Sequence, residues 1–142
     1  MKTKHGVFVL PAALGILSAL LASGVFADTP KRGPATIKEL MTLLVDPASN
    51  AVFQAASEPP KKDAEWKTLQ GQALTLLELA GTLTSPRRAK DKDQWMKYAQ
   101  AMRDASRAAF AAAMAKDANA LMELSDPLYN TCANCHEHYL PK

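Results

Sequence analysis

Four segments of the chain carry apolar side chains at steps of three and four, the spacing that places them on one face of an α-helix. The pattern predicts helices over about residues 34–56, 63–83, 92–116 and 118–139. No segment reads as a convincing strand. Short connections between helices of similar length favour antiparallel packing. We therefore expect an all-α fold, an antiparallel four-helix bundle.

The first and last predicted helices carry the side chains that matter most below. The apolar face of the first consists of Ile37, Leu40, Met41, Leu44, Ala48, Ala51, Val52 and Ala55. One broad face of the last contains Leu121, Leu124, Leu128, Tyr129, Cys132, Cys135, His136 and Tyr139.

Each of these two helices contains an Asp–Pro step, at Asp46–Pro47 and at Asp126–Pro127. A proline inside a helix removes one hydrogen bond and clashes with the preceding turn. Alternatively, Asp46 caps a new helix that has Pro47 in its first turn, where proline is tolerated. Both interpretations predict that the helix axis bends near Pro47.

The N-terminal part of the chain has the pattern of a secretory leader. Basic residues open it, an apolar stretch follows over residues 6–25, and small or modest side chains lead to Ala27. This pattern predicts a signal peptide over residues 1–27 and a mature domain over residues 28–142. The competing interpretation is an uncleaved membrane anchor, because the apolar stretch is longer than is usual in a leader. It only barely reaches the ~20 apolar residues that a spanning helix needs. Cleavage would leave no membrane span and an exported, periplasmic protein.

Net charge argues against a nucleic-acid partner. The whole chain has 17 basic and 14 acidic residues, and removing Lys2 and Lys4 with the leader leaves a net charge of +1. Phosphate backbones are bound by strongly basic surfaces. We therefore expect no nucleic acid among the partners.

The only two cysteines lie together near the C-terminus, in Cys132-Ala133-Asn134-Cys135-His136. This C-x-x-C-H spacing is the attachment signature of c-type haem. On a helix, residues three and four apart share a face, so both thiols and the imidazole point the same way. Each thiol can add across one vinyl group of a porphyrin, and His136 can then bind the iron.

Three other interpretations of this cluster are possible. A disulfide within one helical turn would close a very small loop and constrain the unfolded chain little. A thioredoxin-like redox motif needs a βαβ context, and none is visible. A zinc site could use Cys132, Cys135 and His138, but structural zinc takes four ligands, usually from two segments. His138 itself is expected to be an exposed surface histidine.

Over about residues 34–140 the chain resembles the class II cytochromes c, a family that includes cytochrome c′ and its low-spin relatives. The resemblance rests on four helices, on a single motif near the C-terminus, and on CANCHEHY, which matches the family pattern C-x-x-C-H-x-x-Y. It implies one covalent haem c, held by Cys132 and Cys135 and ligated by His136. It also implies a redox protein as partner. Family members often pair through their first two helices, and the exposed faces of this chain leave both a monomer and a homodimer open.

The resemblance leaves the second axial position of the iron open between two family branches. In one branch a methionine from the first helix fills it, and Met41 is at roughly that position. In the other branch it is open, so that nitric oxide or carbon monoxide can bind, with Met41 or Leu44 as a shield. The remaining candidates, Met96, Met102, Met114 and Met122, are expected in the core.

The expected function is therefore electron transfer by an exported mono-haem cytochrome, which is not an enzyme. The first alternative is a five-coordinate, gas-binding protein of the cytochrome c′ type. The second alternative is a haem-free helical module with a zinc or thiol site.

Overall fold

The structure is a computed structural model that describes residues 33–140 of the 142-residue chain. The expected signal peptide, residues 1–27, lies outside the described residues. Everything stated below about structure concerns residues 33–140.

All regular structure in this part of the chain is helical, as the apolar spacing predicts. The elements are α1 (Ile37–Leu40), a π turn (Met41–Val45), α2 (Asp46–Ser57), α3 (Asp63–Leu83), α4 (Gln94–Ala115) and α5 (Ala118–Tyr139). The backbone stays right-handed helical through Leu40, Met41, Val45 and Asp46. The segments α1, π turn and α2 are therefore one unit, called the first helix below. None of the described helices combines the length and the apolar character needed to cross a membrane.

The four helices pack as an antiparallel bundle. α3 packs on α4, α4 on α5, and both α3 and α5 on α2, which closes the ring. Lys116, just after α4, forms an ion pair of 2.7 Å with Asp63 at the start of α3. At the other end, the Trp95 indole N–H donates to the Leu83 carbonyl at 2.8 Å. Contacts at both ends therefore run α3 and α4 in opposite directions.

The bundle core consists of aliphatic side chains, two tryptophans and many alanines. Leu76, Leu121 and Leu128 are almost completely buried, and Trp66 and Trp95 are buried as well. Buried alanines have short side chains that allow neighbouring helix backbones to approach closely, and alanine also favours helix. They are Ala48, Ala55, Ala73, Ala80, Ala99, Ala109, Ala112 and Ala113.

Local side-chain bonds define where the helices begin. Thr36 and Glu39 form a reciprocal capping box before α1, and the Asp117 carboxylate accepts the Ala120 N–H at 3.0 Å before α5. Such caps satisfy backbone N–H groups that have no partner inside the helix. Between α4 and α5 the backbone reverses through Lys116, which has a left-handed conformation with φ of 55°.

The prediction for the first helix is wrong in its details. Asp46 does not cap a new helix, because the preceding Val45 is already helical and no side chain caps α2. The Asp46 carboxylate instead accepts the side-chain amide of Asn50 at 3.3 Å. Leu44 was expected on the apolar face but is 43% exposed. Both differences come from the π turn, which rotates residues before it relative to those after it.

Three other apolar side chains were also misplaced by the sequence pattern. Met114, Met122 and Tyr129 were expected to be buried, and all three are exposed. Met102 is buried and Met96 partly buried, as expected. Bulky residues at the edge of an apolar stripe can fall on either side of the boundary with solvent, and the periodic pattern does not distinguish the two.

Candidate cofactor site beside the last helix

The candidate site is built on the last two turns of α5. This helix begins at the Asp117 cap and continues without a break to Tyr139. Cys132, Cys135 and His136 therefore lie on one face, as their spacing predicts. Both cysteines are partly buried free thiols, whereas His136 is exposed on one side.

These three side chains line a small internal cavity together with Met41. The cavity has a volume of about 40 Å³ and its walls are almost entirely apolar. Its lining residues are Met41, Val45, Leu83, Trp95, Tyr98, Ala99, Met102, Thr131, Cys132, Cys135 and His136. All four candidate site residues thus meet in one place, although Met41 is about 90 residues from the cysteines in the sequence.

The environment of the two thiols keeps them protonated. Burial raises the pKa of Cys132, and burial followed by the charge of Cys132 raises the pKa of Cys135. The Cys132 thiol also lies 3.7 Å from the Leu128 carbonyl, within reach of a weak S–H bond. Nucleophilic and redox-active cysteines have a lowered pKa instead. These two thiols are therefore unlike those of a thiol–disulfide enzyme.

Tyr139, the last residue of α5, contacts side chains of α4 and of the loop before it. Its hydroxyl donates a hydrogen bond to the Asp91 carboxylate in the loop between α3 and α4. Its ring packs edge-on against Trp95, with 5.1 Å between ring centroids, and Lys90 Nζ lies 5.7 Å from the ring centre. Tyr139 therefore joins the end of α5 to the start of α4 and to the loop before it.

Asp91 is a residue whose part in this arrangement the sequence did not reveal. Besides the Tyr139 hydroxyl, its carboxylate accepts the backbone N–H of Trp95 at 2.9 Å and that of Asp93 at 3.1 Å, so it satisfies a free N–H in the first turn of α4. The available signal was an aspartate shortly before a predicted helix, which is a cap pattern.

The same loop also holds the start of the first helix. The Arg88 guanidinium donates to the Ala35 carbonyl at 2.7 Å, just before the capping box of α1. The α3–α4 loop therefore contacts both chain segments that supply candidate site residues, the first helix and α5.

The donor set fits a c-type haem in chemistry. Two thiols three residues apart, an adjacent imidazole and a thioether on another helix are the groups that attach and ligate such a haem. The cavity is not much larger than the space of a water molecule, about 30 Å³. To accommodate a macrocycle, the first helix and α5 would have to stand further apart.

The described residues offer no comparable second site. No group of three His, Cys, Asp or Glu side chains between residues 33 and 140 comes together in a way that could hold a metal ion. His138 is exposed, as expected, and its ring contacts Tyr98 and Tyr139. A larger open groove of about 850 Å³ lies between the end of α2 and the start of α3 and shares no residue with the cysteine cavity.

The chain was compared with known protein families, curated proteins and solved structures. No family model matches it, and no curated protein or solved structure is similar enough to count as a match. The resemblance to class II cytochromes c accordingly stays an expectation that rests on the residues quoted for it.

Proposed function

We propose that the protein is an exported mono-haem c-type cytochrome that carries electrons. The observation that carries this proposal is the meeting of Met41 with Cys132, Cys135 and His136 around one apolar cavity. A thioether and an imidazole from two different helices are a known axial ligand pair for an electron-transfer haem. The all-helical fold and the resemblance of CANCHEHY to class II cytochromes c point to the same function.

Each residue of the site has a definite part in this proposal. Cys132 and Cys135 would hold the haem covalently, each through one thioether bond, with the S–H hydrogen going to the second carbon of the vinyl group. His136 on α5 and Met41 on the first helix would be the iron ligands. When bound, haem supplies a one-electron couple between Fe(II) and Fe(III).

The surrounding side chains keep the site apolar. Leu83, Trp95 and Met102 are buried walls of the cavity, and their burial excludes water from the space between the two ligand-bearing helices. A less solvated site disfavours the more highly charged iron state, and methionine ligation raises the reduction potential as well. We therefore propose a carrier in which no substrate is turned over.

The partner and the compartment follow from the same proposal. Export through the expected signal peptide, residues 1–27, would bring the chain to the periplasm. The partner would be another redox protein. Family members often pair through their first two helices, so a homodimer and a monomer are both compatible with the proposal.

The test is to express the full chain in an exporting host that attaches haem, and to measure intact mass and ferric and ferrous spectra. We expect one covalent haem per chain and a low-spin ferric spectrum with the weak methionine–iron charge-transfer band. Cys132→Ser together with Cys135→Ser should abolish the covalent haem. His136→Ala should lose the normal spectrum, whereas His138→Ala, two residues along the same helix, should keep it.

Met41→Ala distinguishes the two haem-based functions. In the electron carrier this change converts the ferric iron from low spin to high spin, whereas Met122→Ala, an exposed methionine on α5, leaves it low spin. If the unaltered protein is already high spin and Met41→Ala changes nothing, the gas-binding alternative replaces electron transfer. A protein with two unmodified thiols and no iron contradicts both functions and favours the haem-free module.

A further inference from the structure

The π turn at Met41–Val45 begins at the residue proposed as the second iron ligand. The Asp46 N–H donates to the Met41 carbonyl, five residues back instead of four. π turns are rare, and they occur frequently at functional sites. The coincidence of the π turn with Met41 therefore requires a physical account.

Pro47 favours the π turn. In a regular α-helix the Pro47 ring would clash with the Leu43 carbonyl, and proline has no N–H to bond it. Widening the turn by one residue moves that carbonyl away. Leu43 and Leu44 are 64% and 43% exposed, so the turn has room to widen on its solvent side.

The π turn decides which side chain of the first helix faces the core. An α-helix advances about 100° per residue, so Leu40 and Val45, five residues apart, would point about 140° apart. Both are nevertheless buried, at 6% and 7% exposure. The π turn makes this possible, because it brings residues five apart onto one face.

The same rotation changes the direction of Met41. In an uninterrupted α-helix Met41 would share the centre of the apolar face with Ala48 and Val52. They lie seven and eleven residues further on, and such sums of three- and four-residue steps return to the same face. With the π turn, Leu40 takes that central place. Met41 is turned to the flank, where it lines the cavity with Cys132, Cys135 and His136.

We propose that Pro47, by favouring a π turn that the burial of Leu40 and Val45 also favours, sets the rotation of Met41 toward the cysteine–histidine cavity and is thus a positioning residue for the second iron ligand. This inference rests on the proposed function. It makes iron coordination depend on a residue six positions from Met41 that does not itself line the cavity.

The experiment compares Pro47→Ala with Pro127→Ala in the full, haem-loaded chain. The two prolines are a matched pair, since each follows an aspartate and each is exposed, but α5 passes Pro127 without a π turn. Covalent haem is measured first by intact mass, and then the methionine–iron band and the spin state. Hydrogen exchange of the amides from Met41 to Asp46 reports on the turn independently of haem.

We expect Pro47→Ala to keep one covalent haem, to lose most of the methionine–iron band, and to protect the amides of the former π turn. Pro127→Ala should keep the band. The strongest check is a rescue. Deleting the exposed Leu43 from the Pro47→Ala chain removes the one extra residue from the turn, so Met41 should rotate back and the band should return.

The outcomes separate this inference from the proposed function. Absence of covalent haem from the unaltered protein overturns both. Covalent haem without a methionine–iron band in the unaltered protein overturns the positioning role and leaves a c-type cytochrome. A Pro47→Ala protein that keeps the full band, an equal loss in Pro127→Ala, or no rescue by the Leu43 deletion overturns the positioning role alone.

Discussion

The two Asp–Pro steps have nearly the same local sequence but different backbone structures. At Asp46–Pro47 the first helix widens into a π turn, whereas at Asp126–Pro127 the helix α5 remains regular. Both prolines are exposed, and each is followed by a fully buried residue, Ala48 or Leu128. The dipeptide therefore does not determine how the helix accommodates the proline.

The pattern of buried side chains around each proline explains the difference. In α5, Leu121 and Leu128 are buried and Leu124 is partly buried, at steps of three and four that fit an α-helix. In the first helix the buried residues Leu40 and Val45 are five apart. Only a wider turn lets both reach the core. A proline alone is therefore not sufficient for a π turn. In the first helix Pro47 and the burial of Leu40 and Val45 favour it together, whereas in α5 the packing keeps an α-helix around Pro127.

The largest effect that this comparison predicts is at Leu128, the residue that follows Pro127. Leu128→Ala should lower the free energy of unfolding by about 2–5 kcal/mol, because it opens a cavity beneath a fully buried position. Leu43→Ala, in the exposed π turn, should change it by about 0.5 kcal/mol or less. Urea unfolding of both variants measures the contrast. Equal losses would mean that Leu43 contributes to packing, and the account of the exposed, widened turn would be wrong.

The same comparison shows how much of the fold the sequence could predict. The helix over residues 63–83 was predicted with its observed bounds, since Trp66, Leu69, Ala73 and Leu76 follow the α-helical spacing without interruption. The first helix contains a five-residue step, which a search for steps of three and four cannot represent. The periodic pattern therefore predicted Leu44 on the buried face, whereas the structure exposes this side chain. A proline four residues after Leu43 was the available sign of a disturbed turn.

The candidate site was easier to predict from the sequence than the π turn that contains Met41. Cys132, Cys135 and His136 lie within five residues on one helix, so local geometry alone brings them together. Met41 was assigned through the family resemblance, and the structure places it in the same cavity. The role of Asp91 was not foreseen, because its contact with Tyr139 joins residues 48 apart in the sequence.

A second, smaller effect concerns the aromatic pair that links the two proline-containing helices. Phe53 in α2 and Tyr129 in α5 pack edge to face, with 6.5 Å between ring centroids. Aromatic pairs contribute about 0.5–1.5 kcal/mol beyond their buried area. Because Tyr129 is 60% exposed, we expect a coupling energy at the lower end of that range. A double-mutant cycle with Phe53→Ala and Tyr129→Ala measures it in urea unfolding.

The control for this cycle pairs Tyr129→Ala with Leu74→Ala, an exposed position on α3, for which the two changes should add. A coupling near zero for Phe53 and Tyr129 would show that the two helices are held together by the core alone. A coupling energy well above the range would show that the two helices depend on each other through more than this one ring contact.

The smallest effect at neutral pH is expected at the end of α5, where Tyr139 binds Asp91. The Tyr139 hydroxyl, followed by the Trp95 N–H, lowers the pKa of Asp91, whereas partial burial and then the Asp91 hydrogen bond raise the pKa of Tyr139. A carboxyl group with a lowered pKa stabilises the fold at pH values above its unfolded pKa of about 3.9. This stabilisation is lost as the pH falls further. A tyrosine with a raised pKa stabilises the fold at pH values below its unfolded pKa of about 10. This stabilisation is lost as the pH rises further. The urea midpoint should therefore decline at both extremes, and Tyr139→Phe should remove the alkaline decline and weaken the acidic one.

Tyr98→Phe, a neighbouring tyrosine in α4, is the control and should keep both. An unchanged pH profile in Tyr139→Phe would mean that Asp91 is held by the α4 backbone alone, and that α5, unlike the first helix with its Arg88 contact, ends without support from the loop.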